Sequence, residues 1–174
     1  KYLSIALAKS ERLEELINEF LEIARYSLSD IILQYKEINL TRLLEQLVYE
    51  FQPILDGRGL TCRLAAEDIL LKCDADKMQR VFDNLLRNAA LYSYEGTEIT
   101  IEAGRREENL VLKFSNHGDT IPAKKLERLF EQFYSLDTGR GTGGTGLGLA
   151  IARQIVTLHK GTITAESENE LTVF

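Results

Sequence analysis

Glycines crowded into one short stretch are the residues whose type and spacing best suit binding chemistry. Five of the eight residues from Gly141 to Gly148 are glycine, and a helical pattern follows them to about His159. Glycine allows positive φ angles and a close approach of the backbone to a ligand. Amides at the start of a helix attract anions. The stretch therefore predicts a phosphate-binding loop, and a loop that needs glycine only for its backbone conformation is the alternative.

Asparagines on a predicted helix form a second candidate site. Asn84, Asn88 and Tyr92 follow one another at four-residue steps, so their side chains share one helix face. Asparagine forms helices poorly, and its amide oxygen suits a hard cation such as Mg²⁺. The pair therefore indicates contacts with a metal or with phosphates, and ordinary hydrogen bonds at a solvated helix edge are an equally good interpretation.

The same glycines also match a dinucleotide-binding pattern. Gly141, Gly143 and Gly146 have the G-x-G-x-x-G spacing, and Glu166 follows about twenty residues later. That pattern needs a strand directly before its first glycine, and residues 134–140 do not have a strand pattern. A dinucleotide-dependent oxidoreductase is therefore the less favoured alternative. A P-loop is excluded because no Lys-Ser or Lys-Thr follows the glycines.

The hydrophobic pattern predicts the elements that must position these residues. The first segment is an amphipathic helix, and Thr41 and Asp74 are the expected N-caps of two later helices. Helices and strands are interspersed without strict alternation, which favours an α+β fold with helices on one face of a mixed sheet. The helices are expected at 1–29, 41–56, 75–92, 123–132 and from the glycine stretch to about 159, and the strands at 38–40, twice within 60–73, and at 97–104, 109–115, 161–166 and 171–174.

Composition limits the classes of function. A length of 174 residues suits one domain with a short appendage, and a net charge of -6 argues against a nucleic-acid partner. Cys62 and Cys73 flank a short turn, so a hairpin would bring them close, although two free thiols are the favoured interpretation. No apolar run is long enough for a membrane span, and no signal-peptide pattern is present at the start.

Four motifs together resemble a known family. Sensor histidine kinases of two-component systems carry four conserved boxes. The N box resembles Asn84-Leu-Leu-Arg-Asn88-Ala, and the first glycine box resembles Asn116-His-Gly118-Asp-Thr-Ile-Pro. The F box resembles Leu129-Phe-Glu-Gln-Phe133-Tyr, and the second glycine box resembles Gly144-Thr-Gly146-Leu-Gly148-Leu. The segment from Ser10 resembles the second helix of the family's dimerisation hairpin. Residues 129–167 look most similar to vancomycin-resistance-type sensors of Gram-positive bacteria.

The resemblance implies a fold and a division of the chain. Residues 1–30 would be the second helix of a truncated dimerisation hairpin, and 36–174 a GHKL-type ATP-binding catalytic domain. The fold would be a two-layer sandwich of about three helices on a mixed sheet, preceded by a long N-terminal helix. The chain would be the cytoplasmic part of a membrane-anchored bacterial sensor, a homodimer through the hairpin, with a response regulator as its partner.

The resemblance also implies ATP and Mg²⁺ as ligands. Asn88 would bind the metal with Asn84 in support, and Asn116 stands where the family usually has an aspartate that accepts a hydrogen bond from adenine. Leu91 stands where a Lys or Arg commonly contacts phosphates, so Arg87 or Arg140 would take that role. Phe130 and Phe133 would anchor a lid of about residues 119–145 to the core. The implied ATP-binding set is Asn84, Asn88, Tyr92, Asn116, Gly118, Ile121, Arg140, Gly144, Thr145, Gly146, Leu147, Gly148 and Leu149.

The implied reaction is phosphoryl transfer to histidine. Related ATPases of the same fold place a water-activating glutamate where this chain has Asn84, so ATP would be held without rapid hydrolysis. His117 and His159 lack the acidic neighbour of the family's acceptor histidine, and both are expected to be structural or surface residues. The acceptor would therefore lie on the absent first hairpin helix. A nucleotide-binding interaction module without turnover is the remaining alternative.

Overall fold

A five-stranded mixed sheet organises the chain. The structure, a computed structural model, describes residues 2–28, 31–136 and 144–174. The elements are, in order, α1 Tyr2–Leu28, β1 Lys36–Asn39, α2 Leu40–Asp56, β2 Thr61–Ala66, β3 Leu70–Cys73, α3 Ala75–Tyr92, β4 Glu98–Arg106, β5 Asn109–His117, α4 Ala123–Leu126, α5 Gly148–Leu158, β6 Glu166–Glu168 and β7 Leu171–Val173. The strand order is β2-β4-β5-β7-β6, with β2 parallel to β4 and the other neighbours antiparallel. The predicted α+β class is confirmed.

Side-chain alternation in the strands explains how the layers pack. Along β4, Ile99, Ile101 and Ala103 are buried, while Glu98 and Glu102 are exposed. Strand side chains point to alternate faces, so one face of the sheet is apolar. The helices α2, α3 and α5 contribute the other half of the core through Leu40, Leu44, Leu47, Phe51, Leu55, Met78, Val81, Phe82, Leu85, Leu86, Ala89, Ile151, Ala152 and Ile155. The result is two layers, and α1 packs against α5 outside them.

The N-terminus of α2 differs from the sequence prediction. Asn39, not Thr41, caps the helix, because its side chain accepts a 3.0 Å hydrogen bond from the backbone amide of Arg42. The Thr41 hydroxyl instead bonds the backbone carbonyl of Glu67. The Thr41 side chain therefore binds the loop before β3 and does not cap the helix, which begins at Leu40.

Two other elements are shorter than predicted. The helix expected at 123–132 is confined to α4, because the chain continues in three-residue turns, such as the 2.9 Å bond from the Glu131 amide to the Arg128 carbonyl. The strand expected at 161–166 is also wrong. Ile163 and Ala165 alternate with exposed neighbours as in a strand, but the segment that pairs with the outer side of β7 comprises only the three residues from Glu166 to Glu168.

The hairpin considered for the cysteines does not form. The strand β3 pairs with β1 in a separate two-stranded sheet, and β2 pairs with β4. Cys62 and Cys73 are free thiols, which confirms the favoured interpretation.

Within the described ranges, no helix combines the length and the hydropathy that a bilayer crossing requires.

Candidate functional site

A cavity of about 850 Å³ lies between α3, the turn after β5 and the start of α5. It brings together residues that are far apart in the chain and that the sequence had singled out. The predicted residues on its wall are Asn84, Asn88, Tyr92, Asn116, Gly118, Ile121, Gly144, Thr145, Gly146, Gly148 and Leu149. This cavity is therefore the candidate site.

The floor of the cavity is one face of α3. Asp74 starts the helix by accepting a 3.2 Å hydrogen bond from the Lys77 amide, and the apolar face of the helix packs into the core. Asn84 and Asn88 lie one turn apart on the other side. Asn84 is only 6% exposed, and its Nδ2 has no hydrogen-bond partner among the described residues. A buried donor without a partner costs about 1–3 kcal/mol, so this atom indicates a position where a ligand or water belongs.

The glycine stretch brings backbone close to Asn84. A Cβ added to Gly148, the first residue of α5, would lie 3.1 Å from the Asn84 Oδ1 atom. Gly146 has φ +74°, and a Cβ there would lie 2.8 Å from the backbone of Phe133. No side chain caps the first turn of α5, so its amides are left for another acceptor. This end of the cavity has the properties of an anion site.

The opposite end of the cavity is built by the turn after β5. Asn116 is 2% exposed, and Gly118 passes so close to the carbonyl of Tyr92 that any side chain would collide with it. The Gly118 amide donates a 2.9 Å hydrogen bond to the carbonyl of Glu170. These contacts fix Asn116 between α3 and the β6–β7 turn.

Charged groups line the rim. The Tyr94 hydroxyl donates a 2.8 Å hydrogen bond to Asp119, and this bond to a carboxylate raises the pKa of Tyr94 to about 12, so the phenol stays protonated. Asp83 lies on α3 outside the set of lining residues; burial raises the pKa of its carboxyl group, while Arg80 and Arg87 act in the opposite direction. Arg80, Arg87 and Lys125 are cations on the cavity wall.

Several predicted residues lie off the cavity wall. The Leu147 side chain is fully buried, so only its backbone could face a ligand. Phe130 packs edge-on against Phe174 at 6.3 Å, whereas Phe133 is 59% exposed and its ring lies 6.4 Å from Phe20 of α1. The Phe133 ring thus lies against the first helix and not in the core, where it was predicted, and its backbone has φ +61°. The predicted Arg140 lies outside the described residues.

The two histidines are structural and surface residues, as predicted. The Nε2 atom of His159 accepts a 3.1 Å hydrogen bond from the Asp74 amide, so the proton is on Nδ1, which donates to the Ile155 carbonyl at 2.9 Å. His117 is exposed on β5. Neither ring lines the cavity.

Residues that sequence reasoning missed also shape the site. Arg58 binds the last carbonyls of α3, donating 2.6 and 2.8 Å hydrogen bonds to Leu91 and Ser93, and so fixes the end of that helix. Arg80 lies one turn before Asn84, and the four-residue spacing could have revealed it. Glu19 comes from α1, and nothing in the local sequence signals its approach to the cavity.

The cavity fits a phosphorylated ligand better than a bare metal. Among the residues that the structure describes, no three His, Cys, Asp or Glu side chains cluster so as to hold a metal ion. The amide oxygen of Asn88 is a suitable ligand for Mg²⁺, which also takes phosphate oxygens and water. A metal at this site would therefore depend on oxygens that the ligand brings.

Comparison with known proteins identifies the class. Residues 73–174 match the family model described as histidine kinase-, DNA gyrase B-, and HSP90-like ATPase. The chain belongs to this family, and within it the resemblance to sensor histidine kinases is confirmed.

Individual relatives show which sensor kinases the chain resembles. The sensor protein VanSC of Enterococcus gallinarum is 43% identical over 177 residues, covering 100% of this chain and 49% of its own length. VanS of Enterococcus faecium is 46% identical, with 100% and 46% covered. The chain thus spans about half the length of the curated relatives it matches. The solved complex of histidine kinase ThkA with response regulator protein TrrA matches with a TM-score of 0.81 and 26% identity, covering 100% of this chain and 49% of that chain.

Proposed function

We propose that this chain binds Mg-ATP in the cavity and transfers the γ-phosphoryl group to a histidine outside the chain. The observation that carries the proposal is the buried Asn84 side chain at the start of α5: its Oδ1 lies against Gly148, and its Nδ2 has no hydrogen-bond partner among the described residues. An amide donor and uncapped helix amides converge there, as phosphate binding requires. The membership of the ATPase family supports ATP as the nucleotide.

The two ends of the cavity would bind different parts of ATP. Gly144, Gly146 and Gly148 would place backbone amides against the β- and γ-phosphates. Asn116 would bond the purine, since a buried amide can accept from its exocyclic amine. Gly118 and Tyr92 would set the width of the slot for the base. Asn88 would hold Mg²⁺, which neutralises phosphate charge when bound.

The residues at the phosphate end favour transfer over hydrolysis. Asn84 cannot accept a proton, so it does not activate water as a general base would. In the proposed step, an imidazole nitrogen bonds to the γ-phosphorus, the bond to the β–γ bridging oxygen breaks, and ADP leaves. The imidazole proton passes to an adjacent carboxylate of the acceptor segment or to water. The protein supplies position and hydrogen bonds to the phosphates.

We further infer the cellular setting from the relatives. VanS and VanSC are sensor proteins, and the ThkA structure contains a response regulator. By analogy, the phosphoryl group would pass from the histidine to a response-regulator aspartate, in vancomycin-resistance signalling. The sensor would be membrane-anchored and dimeric through a helical hairpin, with this part of the chain in the cytoplasm.

Asn88→Ala tests the nucleotide site. The variant is expected to bind Mg-ATP at least about tenfold more weakly, because loss of a metal ligand or its support typically has that size of effect. Titration with a fluorescent ATP analogue measures it, and circular dichroism checks the fold. Asn109→Ala, an exposed asparagine on β5, is the matched control. Equal affinity in Asn88→Ala and the wild type would contradict the assignment.

A transfer assay separates a kinase from an interaction module. The chain is mixed with [γ-³²P]ATP and a helical hairpin of a VanS-type relative that carries the acceptor histidine. Acid-labile label on the hairpin is expected with the wild type and not with Asn88→Ala. A chain that binds ATP but never labels the hairpin would be a nucleotide-binding module without turnover.

A further inference from the structure

Two carboxylates of α1 pair with Arg80, and one of them, Glu19, lines the cavity at its glycine end. Glu19 accepts a hydrogen bond from the Thr145 hydroxyl, and its other oxygen lies 3.6 Å from the Arg80 guanidinium. Glu22, one turn along α1, accepts a 3.2 Å hydrogen bond from Arg80 Nε. The Glu19 side chain is only 17% exposed. An anion from α1 therefore occupies the place where α3 and the glycine stretch converge.

Arg80 has the position of a ligand-binding residue. It precedes Asn84 by one turn of α3, so Arg80, Asn84 and Asn88 lie along one helix face, and all line the cavity. Its guanidinium has five donors in a planar arrangement that suits phosphate oxygens. Thr145, whose hydroxyl Glu19 engages, belongs to the loop that would bind the phosphates, and the Leu147 amide donates to the same hydroxyl at 3.3 Å.

We propose that Arg80 is a binding residue for the terminal phosphate of the nucleotide, and that Glu19 is the anion this phosphate displaces. The inference rests on the proposed function and names a residue pair that the motifs do not contain. Glu19 makes with Arg80 and Thr145 the contacts that a γ-phosphate oxygen would make. Contact of α1 with the cavity and occupation by a triphosphate are therefore competing states.

An Arg80–phosphate contact should be stronger than the Arg80–Glu19 ion pair, so a bound phosphate should replace the carboxylate. Ion pairs that remain partly open to solvent contribute little, and the Arg80 side chain is 34% exposed. A phosphate carries more charge than a carboxylate and binds guanidinium in a bidentate manner. Because linkage is reciprocal, ATP must loosen α1 to the same extent that α1 weakens ATP.

The first test compares nucleotides that differ in phosphate number. Arg80→Gln is expected to weaken ATP binding about tenfold, ADP less, and AMP hardly at all, since only ATP brings the terminal phosphate. Arg63→Gln, which removes an exposed arginine paired with Glu98, is the control and should change none of the three. A loss of equal size for ATP and AMP would mean that Arg80 is only structural and would overturn the inference.

The second test removes the competing anion. Glu19→Gln keeps the size of the side chain and is expected to bind ATP about three- to tenfold more tightly, with AMP unchanged. Glu14→Gln, an exposed position on α1, is the matched control. Hydrogen exchange in residues 16–25 should accelerate when ATP is added to the wild type. Unchanged or weaker ATP binding in Glu19→Gln would overturn the displacement.

The outcomes separate this inference from the proposed function. ATP binding that depends on Asn88 but not on Arg80 or Glu19 contradicts the inference alone. A wild-type chain that binds no ATP, or binds it equally after Asn88→Ala, contradicts the proposed function and the inference with it.

Discussion

Gly118 illustrates how the site depends on a single backbone contact. The turn after β5 passes beneath the carbonyl of Tyr92, and the space between them has no room for a Cβ. The Gly118 amide is meanwhile bonded to the carbonyl of Glu170. The residue therefore joins α3 to the β6–β7 turn and places Asn116 at the cavity.

Gly118→Ala should lower both stability and nucleotide affinity. The methyl group must displace the backbone of Tyr92, and overpacking of this kind costs about 1–3 kcal/mol. Gly104→Ala on β4 is the matched control, because nothing lies within 4 Å of its added Cβ. Urea denaturation measures the difference between the two free energies of unfolding. Similar values for the two variants would show that the Tyr92 contact is not restrictive.

At the scale of elements, α3 is fixed at both ends by residues remote in the chain. Arg58 bonds the carbonyls at its C-terminus. At its N-terminus, the Asp74 carboxylate accepts from the amides of Lys77 and Gln34, at 3.2 and 3.0 Å. His159, at the end of α5, accepts from the Asp74 amide. The cavity floor is thus tied to α5 and to the segment before β1.

His159→Ala should destabilise the chain by about 1–3 kcal/mol, because the Asp74 amide loses its acceptor at a buried position. The edge contact of the ring with Tyr35, at 5.7 Å between centroids, is lost as well. His117→Ala, on the exposed face of β5, should change stability by less than about 0.5 kcal/mol. Thermal unfolding of the two variants at neutral pH compares them. An equal effect would refute a structural role for His159.

For the whole molecule, the cysteines predict an alkaline limit to stability. Burial, with the Glu98 carboxylate as a smaller cause, raises the pKa of Cys62 from 9.0 to about 11. Burial raises the pKa of Cys73 to about 11 as well, with Asp74 as the second cause. The unfolded thiols ionise first as pH rises, so the contribution to stability is full below about pH 9 and is lost between pH 9 and 11.

Urea denaturation at pH 7 and pH 10, with a reductant present, measures this loss. The decrease in the free energy of unfolding between the two pH values should be smaller in Cys62→Ala than in the wild type. An identical decrease in both would show that ionisation of Cys62 is not coupled to folding.

An apolar stripe on α1 predicts association of the chain. Leu13, Ile17 and Leu21 are 57%, 50% and 47% exposed and follow one another at four-residue steps. A helix with such a stripe buries it against a partner. Sedimentation should show concentration-dependent dimers that the Leu13→Lys, Ile17→Lys double variant weakens. Tyr49→Lys, at an exposed aromatic on α2, should leave them unchanged. A strictly monomeric wild type would contradict this prediction.

Much of this molecule is determined locally. The N-cap at Asp74, the helix spacing of Asn84 and Asn88 and the glycines before α5 depend on neighbours within a few residues. Their positions in the fold could therefore be predicted from the sequence, and their roles toward a ligand stay predictions. The literal dinucleotide pattern at Gly141 was misleading for the same reason. A local sequence pattern shows the spacing of the glycines, but it does not show which distant residues lie next to them in the fold.

Only the tertiary structure decided which distant groups meet. Strand pairing begins only at Glu166, so the strand predicted at 161–166 is shorter than expected. The Thr41 hydroxyl binds the carbonyl of Glu67 in a distant loop and therefore does not cap α2. Packing of α1 against α5 brought Glu19 to Arg80 and Thr145. These are long-range contacts, whose partners no periodicity identifies. By itself, the sequence determined the elements and the family motifs, and the fold decided which residues from distant parts of the chain border the cavity.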